Sequence, residues 1–171
     1  MSVDTNGFLL YEKDDSGNPK VNIMTDKKGN TVESGSKTAR NFLTEIINNK
    51  NVVKLEGGAR TCVPESQPYV IGINVRQIES LIKGASSNLD SRTLGWGLII
   101  IHELTHTAIG GGFKDVHGIY NTGDAVDFVN KIRRELNKKG YSFGERLQYD
   151  SNPVKKGKAR VLFNKGQYVE F

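Results

Sequence analysis

The chain has 171 residues, 36% of them hydrophobic and 25% charged, with one cysteine and a formal net charge of +5. That length suits one domain, or one domain with a small appendage, and buries roughly 70% of the unfolded surface, so no disulfide scaffold is needed and Cys62 alone could not build one. The longest aliphatic run, Leu98–Ile101, falls far short of the ~20 residues of a membrane span, and the first seven residues lack the basic start and apolar stretch of a secretory signal.

Residues 1–35 are rich in turn chemistry and read as a β-hairpin-rich amino-terminal part. Phe8–Tyr11 and Val21–Met24 flank Asp14–Pro19 as a hairpin, with a second turn at Lys27–Asn30 and no internal repeat. The remainder, 36–171, reads as the main domain, the whole forming one compact unit. A helix is predicted over 37–49, because Phe42, Leu43, Ile46 and Ile47 share one face and Ser36 is a suitable N-cap. Strands follow at 51–55 and 69–75, a short helix at 77–82, and a polar loop at 84–91. A long apolar helix is predicted over 91–109, stopped by Gly110-Gly111-Gly112. A further helix over 125–139 carries Val126, Val129, Ile132 and Leu136 on one side, with Asp124 as its expected N-cap, and 160–163 is a late strand. Charge is uneven: residues 131–171 hold 11 Lys/Arg against 4 Asp/Glu, whereas residues 1–130 hold 13 against 15. A basic flank of this kind is most simply a solvated surface, and it also suits an acidic partner.

The chemistry is concentrated in His102-Glu103-Leu104-Thr105-His106, inside the predicted long helix. Positions i and i+4 lie one turn apart on the same helix face, so both imidazoles can reach one metal ion at the ~2.0–2.1 Å that zinc requires. Glu103, about 100° round the helix, flanks the open side, where a carboxylate can take a proton from a zinc-activated water. Two of the three histidines of the chain fall in this motif, and the apolar residues from Trp96 to Ile101 bury the helix, so polar groups there require a reason. Catalytic zinc takes three protein ligands. His117 ranks first as the third, Asp115 second, and Asp124 is an alternative whose simpler role is the helix cap. Tyr149, Tyr120 and Arg146 are the candidates for stabilising an oxyanion.

The motif is identified as that of a zincin, the superfamily of His-Glu-x-x-His zinc metallopeptidases. Downstream, Asn130-Lys131-Ile132-Arg133-Arg134-Glu135-Leu136, followed by Arg146-Leu147-Gln148-Tyr149, narrows the likeness. It resembles the tail of effector-type metallopeptidases injected by bacterial secretion systems, and of the zincin toxin domains that end Rhs/YD-repeat proteins. The likeness covers residues 96–150. It implies an α+β zincin-like fold, with a small twisted sheet over the helix that carries the two histidines, and Tyr69–Val75 as the sheet edge that aligns a peptide. It implies Zn2+ on His102 and His106, Glu103 as general base, Tyr149 as a catalytic candidate, and hydrolysis of a peptide bond in a protein substrate. It further implies a bacterial protein secreted or injected without an N-terminal signal, acting in a target-cell cytoplasm, with a cognate immunity or inhibitor protein as a candidate partner. A weaker likeness to aspzincins, through Gly112-Phe113-Lys114-Asp115, promotes Asp115 over His117; the longer histidine run of metzincins is absent, because position 112 is Gly. Two rival readings differ in class: a non-catalytic zinc-binding module whose basic carboxyl-terminal region meets nucleic acid or another acidic partner, and a catalytically idle metallopeptidase-like fold. Glu103 argues against the idle fold, and nucleic acid is not the expected partner of the peptidase.

Overall fold

The computed structural model describes residues 2–6, 8–118, 121–154 and 157–171. They form a mixed α+β arrangement of four helices and four small sheets. The amino-terminal part is built from local turns. β1 (Ser2–Val3) pairs antiparallel with β2 (Leu9–Leu10), and β3 (Ile23–Thr25) with β4 (Thr31–Glu33). The expected hairpin forms only around its turn, where Lys13 bridges Pro19 and the Lys20 amide donates to the Glu12 carbonyl at 2.8 Å; 8–11 and 21–24 do not pair, because β2 and β3 each find a nearer partner. The turns also repeat, contrary to the sequence reading. Asp4, Asp14 and Asp26 each accept the backbone amides two and four residues on, at 2.8–3.0 Å. The repeat is an Asp-x-x-Gly spacing, Asp4 to Gly7, Asp14 to Gly17 and Asp26 to Gly29, while most other flanking residues differ.

α1 (Lys37–Asn48) begins as expected at Ser36, whose hydroxyl accepts the Ala39 amide at 3.0 Å. β5 (Lys54–Gly57) and β6 (Val70–Ile73) form a two-stranded parallel ladder, and α2 (Val75–Lys83) follows, capped by the Asn74 side chain. The Tyr69–Val75 edge is not open. Residues 58–69 double back, and Cys62 and Gly72 exchange amide-to-carbonyl bonds of 3.2 and 2.8 Å. Nor is the 84–91 loop wholly solvated, since Leu89 is 6% exposed and belongs to the core.

The predicted long helix is split. Asp90 caps a 3-10 turn at Ser91–Leu94, Gly95 is extended, and α3 runs from Trp96 to His106. Aspartate draws amides into a turn and glycine propagates a helix poorly, which accounts for the break. The helix ends before the glycine run, at Thr107, whose hydroxyl donates to the Leu104 carbonyl at 2.7 Å and accepts the Gly110 amide at 3.0 Å. α4 (Gly123–Lys138) starts at Thr122 without a side-chain cap, so Asp124 is not the N-cap; it sits exposed in the first turn, where a carboxylate still favours the helix dipole. Finally β7 (Asn152–Pro153), β8 (Ala159–Leu162) and β9 (Tyr168–Glu170) make an antiparallel sheet. Only β8 was legible beforehand, because β9 is short and its inward residue, Val169, is flanked by polar neighbours.

Two apolar clusters hold the chain together. Leu98 and Ile101 of α3 pack on Val129 and Ile132 of α4, with Phe42, Leu43 and Phe128 against them. Leu89, Leu94, Val161, Phe163 and Val169 form the second, which seats the carboxyl-terminal sheet on the 3-10 turn. The two strands expected in the sheet over α3 do pair, β5 along an exposed edge and β6 burying Ile71, while the separate sheet β7–β9 reaches the second cluster through Val161 and Val169.

Candidate metal centre

α3 presents His102 and His106 from successive turns, with their Nε2 atoms 3.3 Å apart. The tautomer of His106 follows from its environment. Its Nδ1 lies 2.8 Å from the Phe113 carbonyl, which can only accept, so Nδ1 carries the proton and Nε2 faces the site. Asp115 completes the group: its Oδ2 is 3.0 Å from His106 Nε2 and 3.8 Å from His102 Nε2. Ligand atoms of the three residues all lie within 4.8 Å of one another, and they could hold a metal ion. Two nitrogens bound tetrahedrally at ~2.0–2.1 Å would stand roughly 3.3 Å apart, so the histidine spacing is compatible with a tetrahedral metal ion, zinc among others. The other carboxylate oxygen of Asp115, Oδ1, is buried without a partner, while the Tyr149 phenol hydrogen-bonds to the carboxylate.

The glycine-bearing exit from α3 puts Asp115 there. The Phe113 amide donates to the Thr105 carbonyl at 2.9 Å, turning the chain back beside the helix. A Cβ at Gly110 would lie 1.7 Å from the Leu104 carbonyl oxygen, so only glycine passes. Gly123, at φ +72°, lets α4 close against this segment: a Cβ there would stand 2.6 Å from the Val116 amide nitrogen.

Of the candidates for a third ligand, the structure brings Asp115 beside the two histidines and not His117. Asp115 is in the group, and His117 points away from it. His117 has an 80% exposed side chain and pairs with Asp150 at 3.0 Å, with its ring edge-on to Tyr149 at 5.2 Å. A regular extended chain would put residues two apart on the same side, so the separation comes from the partner each finds: Asp115 meets His106, and His117 meets Asp150. Asp124 is also outside the group. Tyr120 lies outside the described residues.

Burial tunes the charges. It holds His102 neutral, with a pKa near 3, and pushes the Glu103 carboxyl up to about 7. Burial disfavours charge on His106 too, but its contacts with Asp115, the Phe113 carbonyl and Glu103 outweigh this and raise it above the ordinary value. Asp115 pays for burial as well, yet the two histidines hold it below the usual carboxylate range. Tyr149 is pushed up to about 12 by burial and by Asp115, so its phenol keeps its proton.

Several residues carried only by the resemblance acquire physical roles. Asn130 accepts the Arg146 amide at 2.9 Å and donates to the Arg146 carbonyl at 2.8 Å, clamping the Arg146–Tyr149 segment to α4. Arg146 in turn donates through Nε and Nη2 to the carbonyls of Gln148 and Tyr149. Glu135 leaves the site and caps α1: Ser36 and Thr38 hydroxyls donate to it at 2.6 and 2.5 Å, and the Thr38 amide at 3.0 Å. Arg133 is 4% exposed. A signal for Asn130 and Arg133 existed in the sequence, since both fall at helical spacing on the stripe of Val126 and Val129 that faces the core. A cavity of about 300 Å³ opens beside His102 and Glu103 and is lined by Val126, Arg133, Arg146 and Tyr149. No family model, curated protein or solved structure matches this chain.

Proposed function

We propose that the chain is a zinc-dependent metalloendopeptidase of zincin type, with His102, His106 and Asp115 as the ligands of Zn2+. The observation that carries the reading is the meeting of this ligand group with a buried carboxylate, Glu103, at the wall of a cavity. A structural zinc site has no use for a buried acid beside its ligands at a cavity wall, whereas general-base catalysis needs a carboxylate held there. Zinc, when bound, supplies Lewis acidity that polarises a peptide carbonyl and acidifies a water.

The protein groups do the rest. Glu103 takes a proton from the attacking water and passes it to the departing amine. The Tyr149 phenol, kept protonated, donates to the oxygen on which negative charge develops. Asn130 and Arg146 position Tyr149 through the backbone, and His117 braces its ring. The substrate is a protein or peptide, and the delivery of the chain to another cell belongs to the same reading. No described helix is long and apolar enough to cross a membrane.

Elemental analysis of the purified protein tests the reading directly. About one zinc per chain is expected, lost in His106→Ala. Glu103→Gln should retain the metal and lose peptide hydrolysis by about 10²–10⁴-fold. A metal-free wild-type protein that takes up none from zinc-supplemented buffer would sink the proposal, and a Glu103→Gln variant of full activity would remove the catalytic part of it.

A further inference from the structure

The cavity beside His102 and Glu103 is lined by two guanidinium groups, those of Arg133 and Arg146. Arg133 donates through Nη1 to Asn130 Oδ1 and through Nη2 to the Thr93 carbonyl, both at 3.0 Å, but its buried Nε has no partner. Arg146 uses Nε and Nη2 on backbone carbonyls, and its Nη1 makes no hydrogen bond among the described residues. Neither arginine forms a salt bridge among the described residues. Of the acids on the same wall, Asp150 is engaged by His117 and the Gly118 amide, and Glu103 is dehydrated within the apolar helix. Burial and the Arg146 charge together pull Arg133 down to about 9. Asp115, Asp150 and Glu103 lie near enough to act on Arg146, and Glu145 on Arg133, and the Arg133 and Arg146 guanidinium groups lie over the Phe163 and Tyr149 rings. Yet neither has a directly paired carboxylate among the described residues, so an anion at the cavity wall would complete them.

We infer that Arg133 and Arg146 form a subsite that receives a carboxylate of the substrate, next to the ligand group of the candidate metal centre. The planar fork of a guanidinium matches a carboxylate, and Leu98, Val126 and Val129 in the same lining suit the aliphatic part of one residue. At about 300 Å³ the space is at the small end for ligand pockets and fits a single side chain or chain end. A dianionic group would also meet Glu103 and Asp150 in the same lining, which favours a monoanion. The word substrate rests on the metallopeptidase reading; the binding of a carboxylate does not.

Binding to the Glu103→Gln protein, measured by calorimetry, separates the two. The probes are acetyl-Ala-Ala-Glu-amide, its Gln counterpart, and acetyl-Ala-Ala-Ala as free acid and as amide. The acid member of at least one pair should bind about tenfold more tightly than its uncharged partner, a difference of about 1.4 kcal/mol. The first pair reports a side-chain carboxylate and the second a chain terminus. Arg146→Met should erase the preference; should that variant not fold, the comparison within each pair in the Glu103→Gln protein still decides. Equal binding within both pairs, or a preference that survives a folded Arg146→Met protein, overturns the inference. Zinc content of the same sample reports on the peptidase reading by itself: a zinc-free protein that prefers acids keeps the subsite and loses the peptidase, and a zinc-loaded one without preference does the reverse.

Discussion

Carboxylates serve opposite purposes in the amino-terminal hairpins and in the segment from α3 to α4. In residues 1–35, Asp4, Asp14 and Asp26 are surface groups that tie amides two and four residues away, so each completes its turn without help from the rest of the chain. Between α3 and α4, Glu103, Asp115 and Glu135 face groups from other elements, and burial acts on all three. The contrast extends to packing. Phe8, Leu9, Leu10 and Ile23 remain exposed, whereas Leu98, Ile101, Val129 and Ile132 are sealed. A local carboxylate costs little because water still reaches it. A buried one persists only where it has a partner or a task, which is why the second region carries the candidate chemistry.

The comparison can be broken most strongly at the ligand loop. Asp115→Ala should weaken zinc binding by on the order of 100-fold or more, since even supporting groups of a metal site are worth 10–100-fold. His117→Ala, two residues on, should leave zinc affinity unchanged. Competition with a chromogenic chelator measures both, and equal effects would erase the distinction between the inward and outward positions.

Packing comes next. Ile132→Ala in the α3–α4 contact should cost about 2–4 kcal/mol, while Ile23→Ala, 71% exposed, should stay within about 0.5 kcal/mol. Urea denaturation of the two variants gives the ratio.

Glu135 sharpens the comparison through pH. Burial works to raise its pKa, but the Ser36 and Thr38 hydroxyls and the Thr38 amide hold it down to about 2, against an ordinary value of 4.5. Because the folded pKa is depressed, its stabilising contribution is complete above pH 4.5 and is lost as pH falls towards 2. For a half-buried group screened by solvent the contribution is about 1–2 kcal/mol. Glu135→Gln should therefore be less stable than wild type at pH 6 and should converge with it near pH 2. A constant difference across that range would show that the carboxylate charge is immaterial.

Asp26→Ala is expected to have the smallest effect. Amide exchange should accelerate at Lys28 and Asn30, whose bonds it removes, with the unfolding midpoint of the protein unchanged. Loss of cooperative unfolding in this variant would mean that the hairpins are not the self-sufficient units described above.

Much of the site was legible because helix geometry is local. Once 102–106 is helical, the two histidines share a face whatever surrounds them. For the same reason Ser36 as a cap and the apolar faces of α1 and α4, though not their pairing, were readable. The third member of the group was not. His117 and Asp115 sit two residues apart in a glycine-containing exit, and nothing in their spacing says which faces the helix. That was settled by the return of Phe113 to Thr105 and by the fit of Gly123 against Val116, which are contacts between segments distant along the chain or bent by glycine. The edge at Tyr69–Val75 went the same way, covered by Cys62 from a crossover whose path no periodicity records. By itself, then, the sequence determined most of the helical elements and the chemical types on their faces, since those depend on spacings of two to four residues. The tertiary structure alone decided which faces meet: Asp115 with His106, Glu135 with Ser36, and two arginines with one cavity. Those pairings depend on how chain segments separated by up to a hundred residues exclude water together.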